Sequence, residues 1–300
     1  MKKILFVFLF FSVVIFLLQN FDSIQKESDG LKSNGIYSDY KVYPIKTPDS
    51  VSFAGEVVLL KDNDLKERMD RELLVNTYWQ SNMMLLIKRA NKFFPIIEPI
   101  LEEEGIPNDF KYLAVIESGL QNSRSPKGAK GFWQILRTTG REMGLEINNN
   151  VDERYHLELS TKAACKYLKK AKEKLGSWTL AAAAYNRGIN GIFRKLELQQ
   201  VDNYYDLLLG LETKRYVFRI LAVKLILSKP FDYGFIFDDK DLYYSESLRS
   251  FEVDTPISNL SRFALKMGIN YKILKIHNPW LIENHLNNKS RKLYNIKIPN

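Results

Sequence analysis

The chain has 300 residues, 45% hydrophobic and 26% charged, which suits an ordinary globular protein of one large domain or two smaller ones. Its net charge of +9 favours an anionic partner, but the basic residues are spread along the chain rather than gathered, which argues against nucleic acid. The lone cysteine, Cys165, excludes an intramolecular disulfide, and three scattered histidines make no metal-spaced cluster, so neither a metal nor a cofactor is expected.

At the N-terminus Lys2-Lys3 precede an apolar run over residues 4–18, broken only by Ser12. Its length, about 15 residues, lies between a signal-peptide core and a full membrane span. Gln19-Asn20-Phe21 makes a poor cleavage site, and no cysteine stands nearby for lipid attachment. Residues 1–20 are therefore read as a signal peptide or a membrane anchor. Either way the rest of the chain is exported, and the missing cleavage signal favours a protein that stays on the membrane and faces the periplasmic side of the cell envelope.

Residues 21–70 are polar and rich in turn signals, a linker and lead-in in which 51–60 forms a short strand or packing arm. From Leu65 onward helical periods take over, at 65–75, 77–104, 107–118, 134–143, 160–175, 178–187, 202–208 and 212–228. Ser160 and Ser177 are suitable N-caps, and Cys165 falls on an alanine-rich face as a small core residue. Residues 71–230 thus read as an all-α domain. After Lys229-Pro230 the composition shifts: 231–244 is aromatic and acidic with a strand flavour, and 245–300 reads as strand, helix, helix, strand. The fold class is mainly α, with a small α+β module at the C-terminus. That module is either separable or a structural cap on the helical domain.

One stretch stands apart, Tyr112 to Gln134. It opens as an almost wholly apolar helix, the mark of a buried one. Phe110, Leu113, Ala114 and Glu117 fall at i, i+3, i+4 and i+7, so a single stripe carries a carboxylate into the core-facing side. Gly119 offers the helix a stop. An apolar setting raises a carboxyl pKa, and a glutamic acid kept neutral is what a general acid requires. The competing reading is a Glu at a helix end that swings into solvent. Beyond it come Ser125-Pro126 and Gly128-Ala129-Lys130-Gly131-Phe132-Trp133-Gln134, where two glycines allow close backbone approach and the aromatic pair suits a sugar-binding wall.

Further on stand Ala184-Tyr185-Asn186-Arg187-Gly188, then Glu212-Thr213 with Tyr216-Val217. With Glu117-Ser118 and the glycine loop, these four blocks resemble the lytic transglycosylases of the lysozyme-like superfamily, and among them the membrane-bound lytic murein transglycosylase D type. Thr138-Thr139-Gly140-Arg141 and Val151-Asp152-Glu153-Arg154 are similar to that type as well. The likeness covers about residues 80 to 230. The tail resembles a LysM module, a small βααβ glycan binder, with Val253-Asp254-Thr255 where such modules open on Gly-Asp-Thr.

The resemblance implies a monomeric enzyme, without cofactor, acting on the glycan strands of peptidoglycan. Glu117 would protonate the oxygen between N-acetylmuramic acid and N-acetylglucosamine, then take the muramoyl 6-hydroxyl proton to close a 1,6-anhydro ring. Ser125 and Gln134 would hydrogen-bond the sugars, Tyr185 and Asn186 would grip the acetamido group or hold Glu117, and Tyr216 would close the site. Ser118 is either a sugar contact or a structural residue at the helix end. Most glycosidases use two carboxylates. Asp152, Glu153 and Glu142 are the available partners, but Val151 to Arg154 reads as a surface turn, its charges solvated or capping. Two rivals remain: a water-using muramidase of the same fold with Asp152 or Glu153 as base, and a non-catalytic wall-binding or assembly protein.

Overall fold

The helical periods of the sequence gather around one large apolar core in a computed structural model that describes residues 42–300. The apolar run over 4–18 lies outside the described residues. Among those described, no helix is long and apolar enough to cross a membrane.

Residues 45–300 form one compact unit, and it begins with a hairpin, β1 (Ser50–Phe53) and β2 (Glu56–Leu59). The strands are antiparallel, with Ser50 opposite Leu59 and Phe53 opposite Glu56. Ala54 and Gly55 between them both take positive φ (53° and 83°), the geometry that matches strand twist in a two-residue turn. This stretch, read as a packing arm within a linker, is clasped to the helices. Phe53 is fully buried edge-on to Phe110, ring centroids 5.1 Å apart, and the Ala54 N–H donates to Asp109 Oδ2 at 2.7 Å. The Glu56 carboxylate accepts the Trp178 N–H (2.6 Å) and the Thr179 N–H and hydroxyl (2.9 and 2.6 Å), satisfying orphan donors at a helix start.

The helices follow: α1 (Asn63–Tyr78), α2 (Gln80–Glu103), α3 (Lys111–Ser118), α4 (Arg137–Glu142), α5 (Leu157–Leu175), α6 (Trp178–Arg187), α7 (Ile189–Gln199) and α8 (Leu211–Ser228). Tyr112 to Val115 of α3 are all buried, packed between α2 and α8. Helix α8 buries residues all round, as a central helix must.

Several sequence expectations are corrected. No helix forms over 202–208. There Asn203 Oδ1 accepts the Tyr205 and Asp206 N–H groups (2.9 and 3.1 Å), a local bond that competes with helix. Helix α7 was not foreseen, because only Ile192 on it is fully buried and the apolar period is short. Ser177 caps α6 through the Leu180 N–H, but Ser160 lies inside α5, which starts three residues earlier behind a His156 cap. The strand flavour of 231–244 gives two 3-10 turns, Pro230–Tyr233 and Asp239–Asp241. Cys165 is a buried core residue, as read.

The tail is β3 (Leu248–Val253), α9 (Leu260–Lys266), α10 (Tyr271–His277) and β4 (Tyr294–Pro299), with β3 antiparallel to β4 from Leu248↔Pro299 to Val253↔Tyr294. It has its own core, which includes Leu260, Leu274, Trp280, Ile296 and Val253 of the Val-Asp-Thr opening. Buried Asn278 ties it together, donating to Leu274 O (2.9 Å) and Lys297 O (2.7 Å) and accepting the Lys297 N–H (2.8 Å). Val151 of the helical domain is part of that same core. The run Val151 to Arg154 is therefore no surface turn. All four residues are at least 95% buried, because the tail covers them on one side.

Phe53 gives a test of the hairpin. Phe53→Ala is expected to cost about 3–5 kcal/mol of unfolding free energy, as core Phe truncations do. Urea unfolding would measure it, and a loss under about 1 kcal/mol would make the hairpin a loose tether after all.

Candidate active site

Helix α3 stops because Gly119 and Leu120 both take left-handed φ (62° and 56°). The Gly119 N–H donates to Val115 O at 2.8 Å, and Arg89 Nη1 donates to Gly119 O at 3.1 Å. Glu117 therefore sits in the last turn, where the negative end of the helix dipole also disfavours an anion. It does not swing out to solvent. The residue keeps part of its surface open to a cavity, but protein surrounds its carboxyl on most other sides. Burial pushes its pKa up to about 7, against a hydrogen bond from Tyr216 and the charge of Arg219, both of which favour the anion; Glu212 adds a small push upward. The Tyr216 hydroxyl donates to Glu117 Oε1.

The cavity has a volume of about 560 Å³. Glu117, Ser125, Gln134, Tyr185 and Asn186 all line it, brought together from α3, the loop 119–136 and α6. The Ser125 hydroxyl accepts the Ala129 N–H at 3.0 Å, closing the glycine loop on itself. Gln134 has φ 45°, a strained conformation of the sort found at functional sites. Its Nε2 is turned inward onto Gly131 O (2.8 Å), Ser123 Oγ (3.0 Å) and Ser123 O (3.2 Å). Tyr185 donates to Trp133 O at 2.8 Å. Burial holds the Tyr185 and Tyr216 phenols well above their ordinary value, so both remain donors.

Two of the named residues lie behind the cavity wall. Ser118 donates to Phe132 O at 2.8 Å and accepts the Gln121 N–H at 3.3 Å, stitching the helix end to the glycine loop. Tyr216 is buried and reaches Glu117 from α8. The proposed second carboxylates are elsewhere. Asp152 is locked into ion pairs with Arg154 (2.8 Å) and Lys130 (3.0 Å). Burial pushes its carboxyl upward, but the Arg154 and Lys130 hydrogen bonds outweigh it and hold the pKa below the usual range. Glu153 accepts from the Glu146 N–H and pairs with Lys292. Glu142 does not line the cavity but borders an adjoining open groove, which shares Tyr167, Arg187 and Gly188 with it.

Sequence reasoning missed Glu212, the other carboxylate lining the cavity. It accepts from Asn186 Nδ2 at 3.0 Å, while the Thr213 hydroxyl donates to Asn186 Oδ1 at 2.7 Å. The Glu212-Thr213 pair thus clamps the Asn186 amide in one orientation. Its presence in one of the four blocks was the available signal. A second cavity of about 570 Å³ opens between α2 and the tail. Its Glu158 carboxyl is pushed upward by burial, but hydrogen bonds from His156 and Lys297 outweigh this and hold it down at about 2, and its Glu246 stands 3.2 Å from His277. Among the described residues no group of His, Cys, Asp or Glu side chains could hold a metal ion.

The raised pKa has a consequence for stability. Unfolded, the Glu117 carboxyl loses its proton near its ordinary 4.5; folded, it keeps it to about 7. Stability from this group is therefore full below pH 4.5, declines as pH rises between those values, and is lost above 7, a change on the order of 3 kcal/mol at most. Glu117→Gln is neutral throughout. The variant should match the parent near pH 4 and become progressively the more stable towards pH 8, read as melting temperatures across a pH series. Parallel curves would show an ordinary solvated carboxylate.

Comparison with known proteins gives matches over both the helical domain and the tail. Residues 94–207 match the family described as Transglycosylase SLT domain, and residues 249–300 the family described as Soluble lytic transglycosylase C-terminal LysM-like domain. The membrane-bound lytic murein transglycosylase D of Escherichia coli strain K12 is 27% identical over 225 residues, 73% of this chain and 48% of that protein. The protein of the same name from Escherichia coli O6:H1 gives the same figures. The chain spans about half the length of these curated relatives. A solved lytic transglycosylase Slt from Pseudomonas aeruginosa aligns at a TM-score of 0.36 and 20% identity, covering 50% of this chain and 26% of that one, a likeness too slight to bear on function. Residues 94–207, helical around Glu117, are thus similar to a transglycosylase SLT domain, and residues 249–300 to a LysM-like C-terminal domain.

Proposed function

We propose that the protein is a peptidoglycan lytic transglycosylase, which cleaves the β-1,4 bond between N-acetylmuramic acid and N-acetylglucosamine and leaves a 1,6-anhydro end. The observation that carries this reading is one carboxyl at the cavity, Glu117, withdrawn from water and hydrogen-bonded by Tyr216. Glu117 has a pKa raised to about 7, and the cavity's other acid, Glu212, is tied to Asn186. An acid near pKa 7 can both give and take a proton at neutral pH. Glu117 protonates the glycosidic oxygen as the C1–O bond breaks. The substrate's own acetamido oxygen stabilises C1, the known exception to the two-carboxylate rule. The resulting Glu117 carboxylate, held by the Tyr216 hydroxyl, takes the C6 hydroxyl proton while O6 bonds to C1. No water is consumed.

The supporting side chains follow from their placement. Gln134 spends its amide N–H groups on the loop, which leaves its carbonyl oxygen to accept from a sugar hydroxyl. The clamped Asn186 suits the acetamido group. Acting on the cell wall places the protein in the envelope, outside the cytoplasm, with residues 1–20 as its signal or anchor and cell-wall remodelling as its role.

Two experiments test the chemistry. Products released from purified peptidoglycan should be one water lighter than hydrolytic ones, and Glu117→Gln should lower the rate by about 10²–10⁴-fold or more. Ordinary reducing ends would sink the transglycosylase reading and make Glu212 the candidate base of a hydrolase. The second concerns pH. kcat/KM should fall above pH about 7 as Glu117 loses its proton. Tyr216→Phe removes a donor that favours the anion, so the falling limb should move to higher pH. A limb that stays in place would separate Tyr216 from the acid.

A further inference from the structure

One segment, residues 146–158, faces both the active-site loop and the tail. On the tail side the Asp152 N–H donates to Trp280 O and the Ile282 N–H to Asn150 O, each at 2.9 Å. Asn150 donates to His285 O (2.8 Å) and accepts the Asn287 N–H (2.7 Å). Lys292 bridges Glu146 and Glu153 at 2.7 and 2.8 Å. On the other side Arg154, 3% exposed, spends its guanidinium on two tasks. Nε and Nη2 hold Asp152 at 2.8 Å each, while Nη1 donates to Gly128 O (3.1 Å) and Ile135 O (3.3 Å). Those two carbonyls sit at the opposite ends of the glycine loop that carries Gln134. The loop also lies against the segment's backbone, since a Cβ on Gly131 would stand 1.9 Å from Arg154 O.

We propose that Arg154, held by Asp152, is a positioning residue for the sugar-gripping loop 123–135, and that the LysM-like module sets the active site by clamping the segment that carries the pair. This rests on the reading of that loop as substrate-binding given above. The module is then a working part of the catalytic site, whatever glycan it binds by itself. Arg154 touches no substrate. It acts through the two carbonyls, and its planar fork can reach the carboxylate and both carbonyls at once, which a lysine ammonium cannot.

The test uses the full chain and two variants. Asn150→Ala loosens the seam from the tail side without touching the loop; Arg154→Lys keeps the charge that Asp152 needs but loses the fork. Both should speed amide hydrogen exchange across 123–135 selectively, leaving α1 and α2 protected. Both should also lower kcat/KM on a short soluble glycan by about tenfold or more, since small misplacements of a binding group carry such costs. The falling pH limb near 7 should stay where it is, because the groups that act on the Glu117 carboxyl, Tyr216, Arg219 and Glu212, all come from α8 and not from the loop. A lower melting temperature with loop exchange and turnover both unchanged would make the seam merely structural and overturn the proposal. Faster loop exchange with undiminished turnover would overturn it as well. If Arg154→Lys fails to fold, Asn150→Ala decides alone. If the parent shows no activity on peptidoglycan, the proposed function has failed, and the exchange measurement still reports whether the tail governs the loop.

Discussion

A carboxyl group withdrawn from water and left beside a phenol is the interaction on which the site depends. Among the described residues Glu117 has no cation in direct contact; its hydrogen-bond partner is the Tyr216 hydroxyl. A buried lysine or arginine paired with it would have fixed the anion and removed the proton that the chemistry needs. Burial instead raises its pKa, and the phenol limits how far it rises. Much of the helical domain can be understood as holding that pair. Helix α3 must be short and apolar to bury its last turn, α8 must cross behind it to deliver Tyr216, and the left-handed Gly119-Leu120 pair must turn the chain away at once.

The same helix end starts the loop that walls the cavity, and its internal bonds show how that loop is kept in shape. Ser118 reaches Phe132 O, Tyr185 reaches Trp133 O, and Gln134 folds its amide back on Ser123 and Gly131. Ser118 and Tyr185 bring donors from outside the loop to the Phe132 and Trp133 carbonyls, each of which would cost about 1–3 kcal/mol if buried and left unmet. Gln134 adds a second donor to Gly131 O and Ser123 O, which also accept loop N–H groups. Several residues that read as sugar contacts thus hold up the wall that the sugar meets. The two roles are compatible where one polar atom is spent and another remains, as in Gln134.

The seam with the tail follows another physical rule. A buried ion pair contributes little by itself, but removing one member is costly, about 3–5 kcal/mol, because the other charge stays behind. Asp152, Arg154 and Lys130 form such a group, and Trp280 and Leu281 of the tail, packed with Val151, keep water from it. Residues 45–300 accordingly form one compact unit across the change in composition at Pro230.

The sequence by itself determined the helical domain, the strand–helix–helix–strand tail, and the inward-facing acid. Each depends on spacing within one element: Leu113, Ala114 and Glu117 share a stripe because a helix repeats every 3.6 residues. The departures share a cause as well. Nothing local marks Asp152, Glu153 and Arg154 as buried; three successive charged residues in a turn are ordinarily solvated. Only the arrival of Trp280, Leu281 and Lys292, over a hundred residues along the chain, covers them. The Glu212 clamp on Asn186, and Ser118 turned from cavity to loop, likewise required elements distant in sequence to meet. Periodicity tells which way a side chain points from its own helix, but burial and hydrogen-bond partners are set by whatever packs opposite, and that is decided by the tertiary structure alone.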